Sequence, residues 1–185
     1  MKRRVFTALM MALGSAITLR RPRIAEAAGP APTFTFPGID GSTIDSAEWR
    51  GKPALVVNTA SLCGFTPQLE DMQALYESHA PKGLVVVAVP SDDFAQELDD
   101  AKKVKEFCTL QYGITLPMTD ILHVKGKDAH PFYAWVKEQS GFQPGWNFNK
   151  ILLGPDGNIV ATWGSMTKPG SDAILSKVEP LLPRS

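Results

Sequence analysis

With 185 residues, 44% of them hydrophobic, and neither an internal repeat nor a low-complexity tract, the chain has the material for one domain with a sizeable core, and no apolar run reaches the roughly 18 residues of a membrane-spanning helix. Its 19 basic and 19 acidic side chains are unevenly placed: positions 1–27 hold six basic residues and one acid, which leaves 13 basic and 18 acidic residues, a net charge of −5, for the rest. A mildly acidic domain without a basic stripe argues against nucleic acid as the partner.

The first 27 residues read as an export signal. Lys2-Arg3-Arg4 precedes an apolar stretch from Val5 to Leu19, and Ala25-Glu26-Ala27 forms a small-x-small cleavage site. Arg3-Arg4-Val5-Phe6 resembles the core of a twin-arginine signal, which implies export of a folded protein. The competing reading is an uncleaved membrane anchor, because Arg20-Arg21-Pro22-Arg23 places positive charge after the apolar stretch. Residues 28–185 are then a single domain acting outside the cytoplasm, periplasmic or secreted.

Thr33-Phe34-Thr35-Phe36 and Ser42-Thr43-Ile44, separated by a glycine-bounded turn, predict a small hairpin that closes one edge of a sheet. Ala54 to Val57 is a continuous apolar run, the pattern of a strand buried on both faces, and Leu84 to Val89 is a second. Between them Leu69, Met72, Leu75 and Tyr76 recur at helical spacing. Thr66-Pro67 supplies an N-cap residue followed by proline at the first helical position, so a helix spans about 67–79. Strand, helix and strand form a right-handed crossover unit with both strand C-termini on one edge. Val104, Phe107, Cys108 and Tyr112 mark one face of a helix over about 99–112, ended by Gly113. Ala129 to Gln139 marks another, started by His130 before Pro131. Gly154-Pro155-Asp156-Gly157 joins strands at 148–153 and 158–163, and Ile174 to Leu182 is a closing helix. That order predicts an α/β, thioredoxin-like fold, a central mixed sheet flanked by helices.

Cys63 falls on the turn between the first buried strand and its helix. Positive potential collects at a helix N-terminus and favours thiolate over thiol, which is how a cysteine becomes a nucleophile. The loop from Pro90 to Glu97 leaves the neighbouring strand on the same edge, and Trp146-Asn147 reaches it from an antiparallel strand, so all converge on the crevice where open α/β sheets do chemistry. A dithiol oxidoreductase is disfavoured, because Cys63 has no CxxC partner.

Five collinear blocks resemble the glutathione peroxidase family: Asn58-Thr59-Ala60-Ser61-Leu62-Cys63-Gly64-Phe65-Thr66, Phe94-Ala95-Gln96-Glu97, Lys105-Glu106-Phe107-Cys108, Asp128-Ala129-His130-Pro131 and Trp146-Asn147-Phe148-Asn149-Lys150. The resemblance covers about residues 33–182. The resemblance implies that Cys63 is the peroxidatic residue, in the cysteine form, with Gln96, Trp146 and Asn147 as its partners. It also implies that Cys108, 45 residues downstream, is the resolving cysteine of a member recycled by a thioredoxin-like protein, glutathione being the other reductant. The short segment 139–145 implies a monomer. The chain departs from the family at Pro90-Ser91-Asp92-Asp93-Phe94, lacks one residue before Gln96, and has Leu98 where a proline is usual.

Attack of a thiolate on a peroxide oxygen expels hydroxide or alkoxide, so the site must hold an anionic sulfur and stabilise a leaving oxygen. Gln96, Asn147 and the Trp146 indole N–H are neutral donors that pH does not switch off. The expected function is reduction of hydrogen peroxide and organic hydroperoxides; the alternative is a noncatalytic thioredoxin-like peroxide sensor or binding module. Nothing in the sequence calls for a cofactor. His79, His123 and His130 are too scattered for a metal site. Asp92-Asp93 and Asp99-Asp100 read as solvated loop and helix-start charge.

Overall fold

A computed structural model describes residues 31–183, so the proposed leader at 1–27 lies outside the described residues. Strand β3 (Ala54–Thr59) is buried along its whole length and pairs in parallel with β4 (Val85–Pro90) through the crossover helix α1 (Gln68–His79). Strand β5 (Lys150–Leu153) runs antiparallel to β3, and β6 (Ile159–Trp163) antiparallel to β5, giving the order β4-β3-β5-β6. Gly157, at φ 82°, makes the left-handed step in the turn between β5 and β6, where its amide closes onto the Gly154 carbonyl at 2.8 Å.

Two-residue alternation sends the strand side chains to opposite faces and makes two cores. Leu55, Val57, Val86, Ala88 and Leu152 face α1, α2 (Ala101–Tyr112) and α4 (Asp172–Val178). Ala54, Val56, Val87, Val89, Ile151 and Leu153 face α3 (Pro131–Ser140), with Phe132, Tyr133 and Val136 packed against them. Each such apolar side chain contributes about 1.5–3 kcal/mol on full burial. Helices on both faces of a mixed sheet, in this chain order, are the thioredoxin-like arrangement.

Two expectations need correction. The hairpin of β1 (Thr35–Pro37) and β2 (Thr43–Asp45) does not close the main sheet; it is a separate two-stranded sheet. The edge of β4 is already taken by the segment around Met118, which bridges Ala88 on one side, while Thr119 bridges Gly38 of the hairpin on the other. Thr66 also does not cap α1. The helix starts at Gln68, Pro67 occupies the cap position without a side-chain bond, and the Thr66 hydroxyl turns back into the cysteine loop. The other helix boundaries follow their signals: Asp100 caps α2 by accepting from the Lys103 amide, Gly113 ends it at φ 62°, and the His130 ring accepts from Phe132 N at the start of α3.

Candidate active site

The turn that carries Cys63 is wired by short hydrogen bonds. Thr66 Oγ1 accepts from the Cys63 amide at 3.1 Å, and its hydroxyl lies 2.9 Å from the Ala60 carbonyl and 2.6 Å from that of Cys63. Phe65 N donates to Cys63 Sγ at 3.4 Å. The cysteine sits five residues ahead of the helix, so this backbone amide, not the helix terminus itself, is the donor aimed at sulfur. Cys63 is a free thiol, 7% exposed, beside Leu62, which is 61% exposed.

The loop after β4 is fastened to that turn at two points: Leu62 N donates to the Gln96 carbonyl at 2.9 Å and Ser61 N to Glu97 Oε1 at 2.9 Å. Glu97 is buried, and its carboxylate accepts a second bond from Leu98 N at 2.9 Å. Burial pushes the Glu97 carboxyl up, against the pull of those bonds. Asp93 corrects the solvated-loop expectation. Its carboxylate accepts from Val124 N at 2.6 Å and Lys125 N at 3.1 Å, and bonds His123 Nδ1 at 2.7 Å. Burial opposes its ionisation, but those three bonds outweigh it and hold the carboxyl below its usual range. Asp99 and Asp100 do serve the start of α2.

The third segment is the turn before β5. Asn58, at the end of β3, fixes it: its Nδ2 donates to the Trp146 carbonyl at 3.0 Å and its Oδ1 accepts from Asn149 N at 3.0 Å. Asn147 is fully buried and its Nδ2 donates to Gln96 Oε1 at 3.2 Å, which joins the two predicted donors directly. Asn147 Oδ1 has no hydrogen-bond partner. Trp146 is 41% exposed, and its ring lies 5.4 Å from that of Phe94. The structure thus brings Gln96 and Asn147 into contact and ties the Gln96 segment to the Cys63 turn; Trp146 is at the rim, not in the core.

The two non-glycine residues of positive φ among the described residues are Ala95 (53°) and Phe148 (59°), adjacent to Gln96 and Asn147. Backbone strain of this kind costs on the order of 1 kcal/mol or more and persists only where the surroundings enforce it. Sequence reasoning missed Asn58, Glu97 and Thr66 as supports, and Lys150, a lysine with no exposed surface in the middle of the sheet. An uncharged neighbourhood around a lysine in an apolar strand was the available signal for the last.

Cys108 is the second free thiol, 3% exposed in α2, in the same apolar cluster as Cys63. Burial, with a smaller push from the Glu97 charge, drives its thiol up to about 12, so it is uncharged while the helix is packed. Among the described residues no three His, Cys, Asp or Glu side chains gather as a metal-binding group, and no helix is long and apolar enough to cross a membrane.

A free cysteine on the strand-to-helix turn of a thioredoxin-like sheet, with the loop of a bonded pair of side-chain amides hydrogen-bonded to that turn, is the arrangement of a cysteine-dependent redox enzyme. The family model for glutathione peroxidase matches residues 33–137. The chain is 38% identical over 141 residues to a glutathione peroxidase of Lactococcus lactis subsp. cremoris, covering 74% of this chain and 90% of that one. It is 36% identical over 148 residues to the glutathione peroxidase-like peroxiredoxin 2 of Saccharomyces cerevisiae, covering 74% and 91%. The crystal structure of Trgpx in apo form superposes with a TM-score of 0.61 at 31% identity, over 81% of this chain and 96% of that one. The chain belongs to the glutathione peroxidase family and is a thiol peroxidase that reduces hydroperoxides.

Proposed function

We propose that Cys63 is the peroxidatic residue, that Gln96, Asn147 and Trp146 hold its sulfur and the departing oxygen, and that Cys108 resolves the product. The observation that carries this is the Asn147–Gln96 bond, which fastens two neutral donors together beside the segment hydrogen-bonded to the Cys63 turn. The Cys63 thiolate attacks one peroxide oxygen, the O–O bond breaks, and the leaving alkoxide takes a proton, leaving sulfenic acid on Cys63. The Cys108 thiol then ionises and attacks that sulfenic acid, the S–S bond forms as the S–O bond breaks, and the departing hydroxide takes up the proton lost by Cys108 and leaves as water.

Cys108 is buried and uncharged in α2, so it reacts only after local opening of the helix, which removes both the burial and the Glu97 charge at once. A thioredoxin-like protein is the matching reductant, since it exchanges with a disulfide, whereas glutathione would meet the sulfenic acid on Cys63 directly. Residues 1–27 direct export on this reading, with a mature start near Ala28, on the strength of the charged start, the apolar stretch and Ala25-Glu26-Ala27. An exported enzyme meets oxidising surroundings and needs a dedicated thiol donor there. Cys63→Ser should abolish hydroperoxide turnover while the circular dichroism spectrum stays that of the parent; turnover comparable to the parent would refute the assignment. In a donor screen, turnover with a thioredoxin-like protein and little with glutathione is expected, and the reverse result would remove Cys108 from the cycle.

A further inference from the structure

Lys150 opens β5 opposite Val57 and Trp163, on the sheet face that also holds Cys63, and it has no exposed surface. Lysine is almost never fully buried unless paired, yet none of the ion pairs among the described residues involves it. Its Nζ donates instead to Gln68 Oε1 at 2.5 Å and to the Ser165 carbonyl at 3.5 Å. Gln68, the first residue of α1, donates through Nε2 to that same carbonyl at 2.6 Å. Ser165 Oγ in turn donates to the Asn147 carbonyl at 2.6 Å, and Asn149 Nδ2 donates to Ser165 Oγ at 3.1 Å and to the Trp146 carbonyl at 2.8 Å. One ammonium therefore joins the helix start that follows Cys63 to the turn that carries Trp146 and Asn147. Every other member of this network is neutral.

We propose that Lys150 is a positioning residue for peroxide reduction, whose buried ammonium clamps the Cys63 turn and helix start against the Trp146–Asn147 turn and supplies the positive charge that the neutral donors of the site lack. The inference rests on Cys63 being the peroxidatic residue. Peroxide reduction passes through two anions, a thiolate and a leaving alkoxide, and a buried cation without a counterion gains from either. The titratable groups facing Lys150 are few. Asp71 of α1 acts on it from a partly exposed site, already paired at 3.7 Å with Lys168 of the turn that carries Ser165. From β3 and β6 it meets Val57 and Trp163, and α4 turns Ile174 and Val178 inward while Asp172, Lys177 and Glu179 stay exposed. Burial lowers the Lys150 ammonium to about 8, against the pull of Asp71, so the clamp is charged below that pH and neutral above it.

The test follows the rate at which peroxide consumes the Cys63 thiol, trapped by alkylation and counted by mass spectrometry, without any reductant. Normalised to Lys150→Met at the same pH, the parent rate constant should fall as pH rises through about 8, with the circular dichroism spectrum constant. Lys150→Met keeps the volume and removes the charge. It should be slower than the parent at neutral pH by about 10- to 100-fold, approach the parent rate above about pH 8, and melt no earlier than the parent. Lys150→Gln takes its place if Lys150→Met fails to fold, and a folded variant with the parent rate, or a ratio of parent to variant rate that does not change with pH, would overturn the proposal. Failure of the underlying assignment looks different, since Cys63→Ser would then still consume peroxide like the parent.

Discussion

Helices α1 and α2 are each twelve residues long and pack on the same face of the sheet, yet they are held in different ways. Helix α1 buries Gln68, Leu69, Met72, Gln73, Leu75 and His79. Two of these are amides that fasten it to the rest of the fold, Gln68 to Lys150 and Ser165, and Gln73 to the amides of Thr115 and Leu116. Helix α2 buries only Val104 and Cys108, leaves Leu110 79% exposed, and carries its ion pairs, Lys103 with Asp99 and Lys102 with Glu106, on the surface. Exposed pairs of that kind stabilise little. The helix behind Cys63 is an anchor, whereas the helix bearing Cys108 takes less free energy to open.

Core deletions in the two helices should show that contrast at its largest. Met72→Ala, on α1, should cost about 2–5 kcal/mol of global stability in urea unfolding. Val104→Ala, on α2, should cost less globally but should speed disulfide formation after peroxide, because each kcal/mol taken from α2 raises its open population about fivefold. Equal global losses, or slower disulfide formation in Val104→Ala, would break the comparison. Hydrogen exchange sharpens it at a finer level: the α2 amides should exchange before those of α1, through a local opening that leaves α1 protected.

The smallest effect belongs to Asp93, which ties the loop of Gln96 to residues 123–125. Its carboxyl is held low in the fold, so its contribution is present above 3.8 and is lost as pH falls through the lowered folded value. The Asp93 bond and charge raise His123 above 6.5, so the His123 contribution is complete below 6.5 and is lost as pH rises through the raised value. The melting-temperature gap between parent and Asp93→Asn should therefore be widest between 3.8 and 6.5 and narrow on either side. A gap that does not change with pH would mean that the charge pair contributes nothing.

Much of this was legible in the chain because local signals and global fold agree. The paired valines of β3 and β4, the turn at Gly154 to Gly157 and the Asp100 and Gly113 ends of α2 each specify their element without help from distant residues. The hairpin and Thr66 depart from expectation for one reason: each meets a competitor, distant in the chain for the hairpin and local for Thr66. The Met118 segment occupies the sheet edge the hairpin would have taken, and the carbonyls of Ala60 and Cys63 hold the Thr66 hydroxyl that would have capped α1. Gln96 and Asn147 could be placed on one edge by topology, but the left-handed backbone at Ala95 and Phe148, beside the two bonded residues, is announced by no local preference. Asp93 and Lys150 were hidden because their partners lie 15 to 82 residues away.

The central claim is that Cys63 reacts in its fixed turn and Cys108 comes to it by the opening of α2. Peptide mapping by mass spectrometry after one equivalent of peroxide tests this most directly. The account predicts a Cys63–Cys108 disulfide in the parent and its absence in Cys108→Ser, where Cys63 remains as sulfenic acid. Persistent sulfenic acid on Cys63 of the parent protein, with Cys108 still reduced, would contradict it.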